Sequence, residues 1–131
     1  MTPYGKKVRE LRERKDIMQK DMATALNVSG AYLSALEHGS RGTPKKDFVS
    51  RVAVYLGLDQ DQEAELQALA SVSDPKAKIV TDHLSPKATQ FANWLAENIG
   101  QVSDETIDAM HTLAKQDRQM LARQALQRDL R

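Results

Sequence analysis

Two short segments with helical periodicity, joined by a tight turn, are the most distinctive feature of the sequence. They run from Gln19 to Leu26 and from Gly30 to His38, and Asn27 between them tolerates the left-handed conformation that a tight turn needs. Ser29 is predicted to cap the second segment and Gly39 to end it. The second segment has a small, lysine-free outward face formed by Ala31, Ser34, Ala35 and His38, opposite the apolar Leu33 and Leu36. Such a face can enter a major groove, where a hydroxyl bonds base edges and alanine methyls contact thymine methyls. An ordinary αα-hairpin that binds no nucleic acid is the alternative.

Basic residues follow this pair of segments. Arg41 lies in a glycine-containing loop, and Thr43 and Pro44 predict the start of another helix. Lys45 and Lys46 would then lie in its first turn, where the helix dipole disfavours cations unless an anion such as phosphate binds. Residues 1–57 contain eleven Lys and Arg and six Asp and Glu, a net charge of +5, whereas the rest of the chain has a net charge of −4. The first half is therefore the candidate for binding a polyanion, and plain solvation of its lysines is the alternative.

Other reactive groups favour structural roles. Asp59, Asp61 and Glu63 have the first spacings of a calcium loop, but alanines replace its turn glycine and its bidentate ligand, so this run is predicted to begin a helix. The histidines are isolated from one another along the chain, at His38, His83 and His111. The chain has no cysteine, and we find no nucleophile or acid–base constellation. We therefore expect no enzymatic activity, no bound metal and no cofactor.

The apolar content also bears on location. No apolar run approaches the roughly 20 residues that cross a bilayer. The first ten residues lack the apolar stretch of a signal peptide, and the lack of cysteine fits a reducing compartment. We expect a cytoplasmic protein without a membrane partner.

Apolar stripes with a period of 3.6 predict an all-α fold. The first helix starts at Thr2 and Pro3 and carries an outward basic face of Lys6, Lys7, Arg9, Arg12 and Arg14. A fourth helix ends at Gly57 and a fifth follows Asp59, so five helices fill residues 1–71. Residues 72–84 contain a proline and scattered charges and are predicted to be a linker.

The C-terminal residues 85–131 predict two more helices. The first starts at Ser85 and Pro86 and is predicted to end at Gly100, and its apolar stripe is formed by Phe91, Trp94, Leu95 and Ile99. The second starts after Ser103, and the last dozen residues are predicted to be either helical or frayed. The stripe is interpreted as an ordinary core, as a dimerisation surface, or as a surface that packs on the fifth helix.

The run QKDMATALNVSGAYLSALEHGSRGTP, with the following FVSRVAVYLGL, resembles the Cro/C1-type (XRE family) helix-turn-helix transcriptional regulators over about residues 4–70. The resemblance implies a five-helix, lambda-repressor-like DNA-binding domain that acts as a dimer on a pseudo-palindromic operator. It implies that Gln19 contacts a phosphate and braces the second helix of the motif. The sequence departs from the family at Met18, where a Ser or Thr cap is usual, and at Gly30 and Ala31, where longer polar side chains are common.

Together these arguments predict a DNA-binding regulator, most simply a homodimeric repressor. The predicted DNA-contacting residues are Gln19, Lys20, Ser29, Gly30, Ala31, Tyr32, Ser34, Ala35, Arg41, Lys45 and Lys46. The alternative is an antitoxin-type module whose C-terminal helices mask a partner protein while the N-terminal fold regulates its own operon.

Overall fold

The computed structural model describes residues 1–130, and within that range the chain is helical, with no β-strand. The α-helices are α1 (Pro3–Arg14), α2 (Gln19–Ala25), α3 (Gly30–His38), α4 (Lys46–Tyr55), α5 (Gln60–Ser71), α6 (Pro86–Asn98) and α7 (Asp104–Asp129). A short 3₁₀ helix, Ile99–Gln101, follows α6. The expectation of an all-α fold is confirmed. The chain divides into two compact units, Met1–Lys78 and Ile79–Arg131, which are described separately.

Side-chain caps begin most of these helices. Ser29, Ser85 and Ser103 each accept a hydrogen bond from the backbone N–H three residues later, as predicted. Asp59 begins α5 with a capping box, because its side chain and that of Gln62 each bond the other's backbone N–H. The acidic run is therefore a helix start rather than part of a calcium loop.

The predicted start of α4 was wrong. The helix begins at Lys46, with Lys45 as its N-cap, and not at Thr43 and Pro44. Pro44 is buried in the connection before the helix. The fixed φ of proline suits extended backbone as well as a first helical turn, so the Thr-Pro pair alone could not locate the start.

The core of the first unit is formed by the apolar stripes of its helices. α1 packs against α3 and α5, α2 packs against α3, and α4 packs against α5. The buried cluster consists of Tyr4, Val8, Leu11, Met22, Ala23, Leu26, Leu33, Val49, Val52, Leu56, Leu66 and Ala70. Ser73, which falls in the predicted linker, is also buried in this unit, and its hydroxyl accepts a hydrogen bond from the backbone N–H of Tyr4.

Arg12 was wrongly placed on the outward basic face of the first helix. It is only 8% exposed, and its guanidinium contacts both carboxylate oxygens of Glu37, each at 3.1 Å. Arg12 lies one turn after the buried Val8, at the edge of the apolar stripe of α1, and a charged partner on another helix accompanies its burial.

The start of α2, like that of α4, lacks a side-chain cap. Met18 is its N-cap residue, with extended backbone and no side-chain hydrogen bond, and its side chain is exposed. We predict that Met18→Ser adds a bond to a free N–H of α2 and raises the free energy of unfolding by about 1 kcal/mol. Thermal denaturation followed by circular dichroism measures the gain, and Met18→Ala is the control without a cap. Equal melting temperatures for the two variants would contradict the prediction.

The second unit, unlike the first, has no buried core among its described helices. Over the residues described in α6, the 3₁₀ helix and α7, none is buried. Of the last dozen residues, those as far as Asp129 are helical, since α7 continues to that residue, and Arg131 lies outside the described residues. α6 ends at Asn98, ahead of Gly100, where the sequence placed its end. No helix described between residues 1 and 130 combines the length and apolar character needed to cross a membrane.

Candidate nucleic-acid interface

A tight turn joins α2 and α3. Asn27 has φ of 57°, the left-handed conformation predicted for it, and the N–H of Val28 bonds the carbonyl of Ala23 at 3.0 Å. Ala23 is buried, and its small side chain suits a close approach of the two helices. Gly39, with φ of 82°, ends α3 as expected. The two helices and their turn therefore have the geometry of a helix-turn-helix motif.

The outward face of α3 is small, as the wheel predicted. Leu33, Leu36 and Glu37 are buried, whereas Ala31 and His38 are exposed. Ser34 and Ala35 lie between these extremes and are partly accessible. Nothing lies within 4 Å of the position that a Cβ would take at Gly30, so the start of α3 is open on that side.

A buried polar network fixes α3 to the two preceding helices. The side-chain amide of Gln19, at the first position of α2, donates a hydrogen bond to Glu37 at 3.1 Å. Arg12 of α1 contacts the same carboxylate, and Glu37 is 1% exposed. Gln19 therefore braces α3 through Glu37. Burial raises the pKa of Glu37 above its ordinary value, while the charge of Arg12 and its hydrogen bond act in the opposite direction.

The C-terminal end of α3 also lies very close to the start of α1. The hydroxyl of Thr2 donates to the carbonyl of Glu37 at 3.0 Å, and it accepts from the N–H of Gly5. A Cβ at Gly5 would lie 1.9 Å from the carbonyl oxygen of Glu37. Only glycine allows this approach, so α1 and α3 are held backbone against backbone.

Two aromatic rings in contact, with a guanidinium group over each of them, connect α3, the following loop and α4. Arg41 lies over the ring of Tyr32 at 5.7 Å, and Tyr32 meets Phe48 edge to face at 6.2 Å. Arg51 lies over Phe48 at 5.8 Å and donates to the carbonyl of Leu26 at the end of α2. The cation–π contact places the guanidinium of Arg41 beside α3.

The start of α4 carries exposed cations. Lys45 is the N-cap residue, and neither it nor Lys46 is buried. No side chain caps this end of α4, and Lys45 and Lys46 were both predicted to lie there. Together with the positive end of the helix dipole they form a site that attracts anions.

The predicted contact residues thus fall on three neighbouring features: the start of α2, α3, and the loop that leads into α4. Lys20 is exposed on α2, and Ser29 serves as the cap of α3, where its side chain accepts from the N–H of Tyr32 at 3.0 Å. Across residues 1–130, no cluster of three or more His, Cys, Asp or Glu side chains could hold a metal ion.

Sequence reasoning missed the roles of Arg12, Glu37 and Gly5. One signal was available, because Glu37 lies on the same side of the helical wheel as Leu33 and Leu36. A charged residue on an inward face predicts a buried partner. The identity of that partner could not be read from spacing, because Arg12 lies 25 residues earlier.

Comparison with known proteins agrees with this geometry. Residues 3–66 match the family described as "Helix-turn-helix domain". This part of the chain is a helix-turn-helix domain. The match confirms the resemblance to helix-turn-helix regulators that the sequence suggested.

Three relatives each match a stretch of 55 to 58 residues of the chain. An uncharacterized HTH-type transcriptional regulator, RghRB of Bacillus subtilis (strain 168), is 36% identical over 56 residues, which are 43% of this chain and 40% of RghRB. The HTH-type transcriptional repressor RghR of the same strain is 36% identical over 58 residues, 44% of this chain and 43% of RghR. The ImmF control region 10 kDa protein of Bacillus phage phi105 is 38% identical over 55 residues, 42% of this chain and 60% of that protein. The chain thus spans less than two thirds of each relative, and no solved structure matches it.

Proposed function

We propose that the protein is a sequence-specific DNA-binding transcriptional repressor of the Cro/C1 type, acting as a homodimer on a pseudo-palindromic operator in the cytoplasm. In this proposal residues 1–71 are a lambda-repressor-like DNA-binding domain, 72–84 a linker and 85–131 a dimerisation segment. The likeness to RghR, which is described as a repressor, supports repression rather than activation of transcription. We propose no enzymatic activity.

The observation that carries the proposal is the accessible, nearly smooth face of α3 next to exposed cations. Ala31, Ser34 and Ala35 leave room for α3 to lie deep in a major groove. In this proposal Arg41, held over Tyr32, and the lysines at the start of α4 bind phosphates on the groove's edge. The smooth face would read bases through few direct bonds, so DNA shape contributes to specificity in this proposal.

Dimerisation is proposed through the second unit. Phe91, Trp94 and Ile99 are each about half exposed in the single chain, and Leu95 is partly buried. Two helices of this size without a buried side chain cannot supply a core of their own. A second copy of the chain would cover these apolar side chains, as in most soluble oligomers.

The phosphate contacts provide the test of DNA binding. We predict that Arg41→Ala, Lys45→Ala and Lys46→Ala each weaken binding to specific and non-specific DNA alike. Because each lost phosphate contact releases one counterion fewer, the slope of log affinity against log salt concentration should fall by about 1. Fluorescence anisotropy at several salt concentrations measures this slope. Lys87→Ala, an exposed charge on α6, is the matched control. An unchanged slope in all three variants would remove these residues from the interface.

A further inference from the structure

The last helix, α7, exposes a long apolar stripe that contains none of the proposed DNA-contacting residues. In α7 the positions Ile107, Met110, Ala114 and Leu121 follow spacings of three, four and seven residues, which keeps them on one side of the helix. Leu113 and Met120 flank this side, and we call these six residues the α7 stripe. In the chain alone Leu113 is 68% exposed, Met120 is 54% exposed and Leu121 is 55% exposed. Asp117 interrupts the α7 stripe with a charge.

The amount of exposed apolar surface fits a second copy of the chain. Three large side chains of the α7 stripe, Leu113, Met120 and Leu121, add to the half-exposed Phe91 and Trp94 of α6 and Ile99 of the 3₁₀ helix. Their exposed parts amount to roughly 600 Å² of apolar surface on the scale of ordinary side-chain burial. A stable interface of standard size covers about 800 Å² on each partner. The second unit thus has about the surface that one self-association requires.

The charges of α7 determine which orientation of two copies is favourable. Its first turns are acidic, with Asp104, Glu105 and Asp108, whereas the rest of the helix is richer in basic residues, with Lys115, Arg118, Arg123 and Arg128 against Asp117 and Asp129. A parallel pair would put acidic turns beside acidic turns and basic residues beside basic residues. An antiparallel pair puts the acidic end of one helix beside the basic half of the other, and it also opposes the two helix dipoles.

We propose that two copies of this chain pair through α7 in antiparallel orientation. The inference rests on the proposed homodimer and specifies how it forms. Full overlap of the two stripes puts Ile107 opposite Leu121 of the other copy and places Ala114 at the two-fold axis. Such a pair is isologous, as a two-fold dimer requires.

Chemical cross-linking tests this pairing directly, because the full chain contains no cysteine. Single cysteines are introduced by Ala114→Cys, Ile107→Cys and Leu121→Cys, and a short bismaleimide links thiols that face each other. Thr112→Cys, exposed on the opposite side of α7, reports the background from random collisions. We expect Ala114→Cys to cross-link to itself roughly tenfold faster than Thr112→Cys, because pairing raises the effective concentration of the two thiols. Ile107→Cys and Leu121→Cys should each stay near background alone and cross-link when the two proteins are mixed and allowed to exchange subunits.

Other outcomes separate this inference from the proposed function. Self-linking of both Ile107→Cys and Leu121→Cys above background would show a parallel pair and overturn the inference. Cross-linking at the background rate for all three cysteine variants of the α7 stripe would show that α7 is not in the interface, and would also overturn the inference. Sedimentation of the unmodified chain tests the homodimer itself. A dimer supports the proposed assembly, whereas a monomer at all concentrations contradicts both the proposed homodimer and the antiparallel pairing.

Discussion

Replacing Ala35 by Glu is expected to abolish DNA binding while leaving the domain folded. The side chain is partly accessible on the outward face of α3, so a glutamate there can extend into solvent in the free protein. In the proposed complex the same carboxylate would lie between the phosphate-lined walls of the major groove. We expect the affinity for specific DNA to fall at least to the level of non-specific binding, a loss of about 10³-fold or more. A gel-shift or anisotropy titration against the operator measures this loss.

Two further variants control for folding and for net charge. Ala31→Glu introduces the same side chain one turn earlier on an exposed position of the same face, and it is expected to abolish binding as well. Ala64→Glu makes the same change of charge on an exposed position of α5 and is expected to bind almost normally. Circular dichroism verifies that all three variants are folded. Normal binding by a folded Ala35→Glu protein would show that α3 does not read the operator.

The second large effect is expected in stability, at the buried pair of Arg12 and Glu37. Arg12→Ala leaves the carboxylate of Glu37 buried without its cation, which costs about 3–5 kcal/mol in pairs of this kind. That is a large part of the 5–15 kcal/mol that stabilises a typical domain. Urea denaturation at neutral pH measures the loss. Arg9→Ala is the matched control on the same helix, because Arg9 makes only an exposed bridge to Glu13, and its removal should cost less than about 1 kcal/mol.

The loss caused by Arg12→Ala should depend on pH. Burial already raises the pKa of Glu37, and removing the opposing cation raises that pKa further in the folded state. A buried acid whose pKa is raised in the folded state destabilises the fold least at low pH, where it is protonated in both the folded and the unfolded protein. The destabilisation grows as pH rises from the unfolded-state pKa to the folded-state pKa. The difference from the unmodified protein should therefore be smallest near pH 4, about the pKa of an unfolded glutamate, and grow towards neutral pH. A pH-independent difference would show that Glu37 does not carry the penalty.

The hydrogen bonds of Glu37 that stabilise the fold also position α3, the helix proposed to contact the bases. Glu37 joins Arg12 of α1 to Gln19 of α2, and its backbone carbonyl accepts from Thr2. The end of α3 is thereby tied to two helices through one residue. A helix held in this way presents its outward face in one orientation, which is what base reading demands.

The sequence by itself determined the features that depend on interactions within one or two turns. Ser29, Ser85 and Ser103 predicted helix starts because a cap bonds a backbone N–H only three residues away. Asn27 predicted the turn because its left-handed backbone is a local property. The inward positions of Leu33 and Leu36 followed from helical periodicity alone. The DNA-contacting residues chosen from this pattern lie on neighbouring surfaces, and their roles in binding stay predictions.

Only the tertiary structure decided the features that depend on residues far apart in the chain. Arg12 is buried because its partner Glu37, 25 residues away, is presented by another helix, although the sequence analysis assigned it to the solvated basic face of α1. Gly5 is required because the backbone of α3 approaches it, and no neighbour in sequence indicates that approach. Pro44 is buried in the connection before α4, although its local preference also allowed a place in the first turn of the helix. In each case the residues next to it in sequence do not show how the folded chain packs around it.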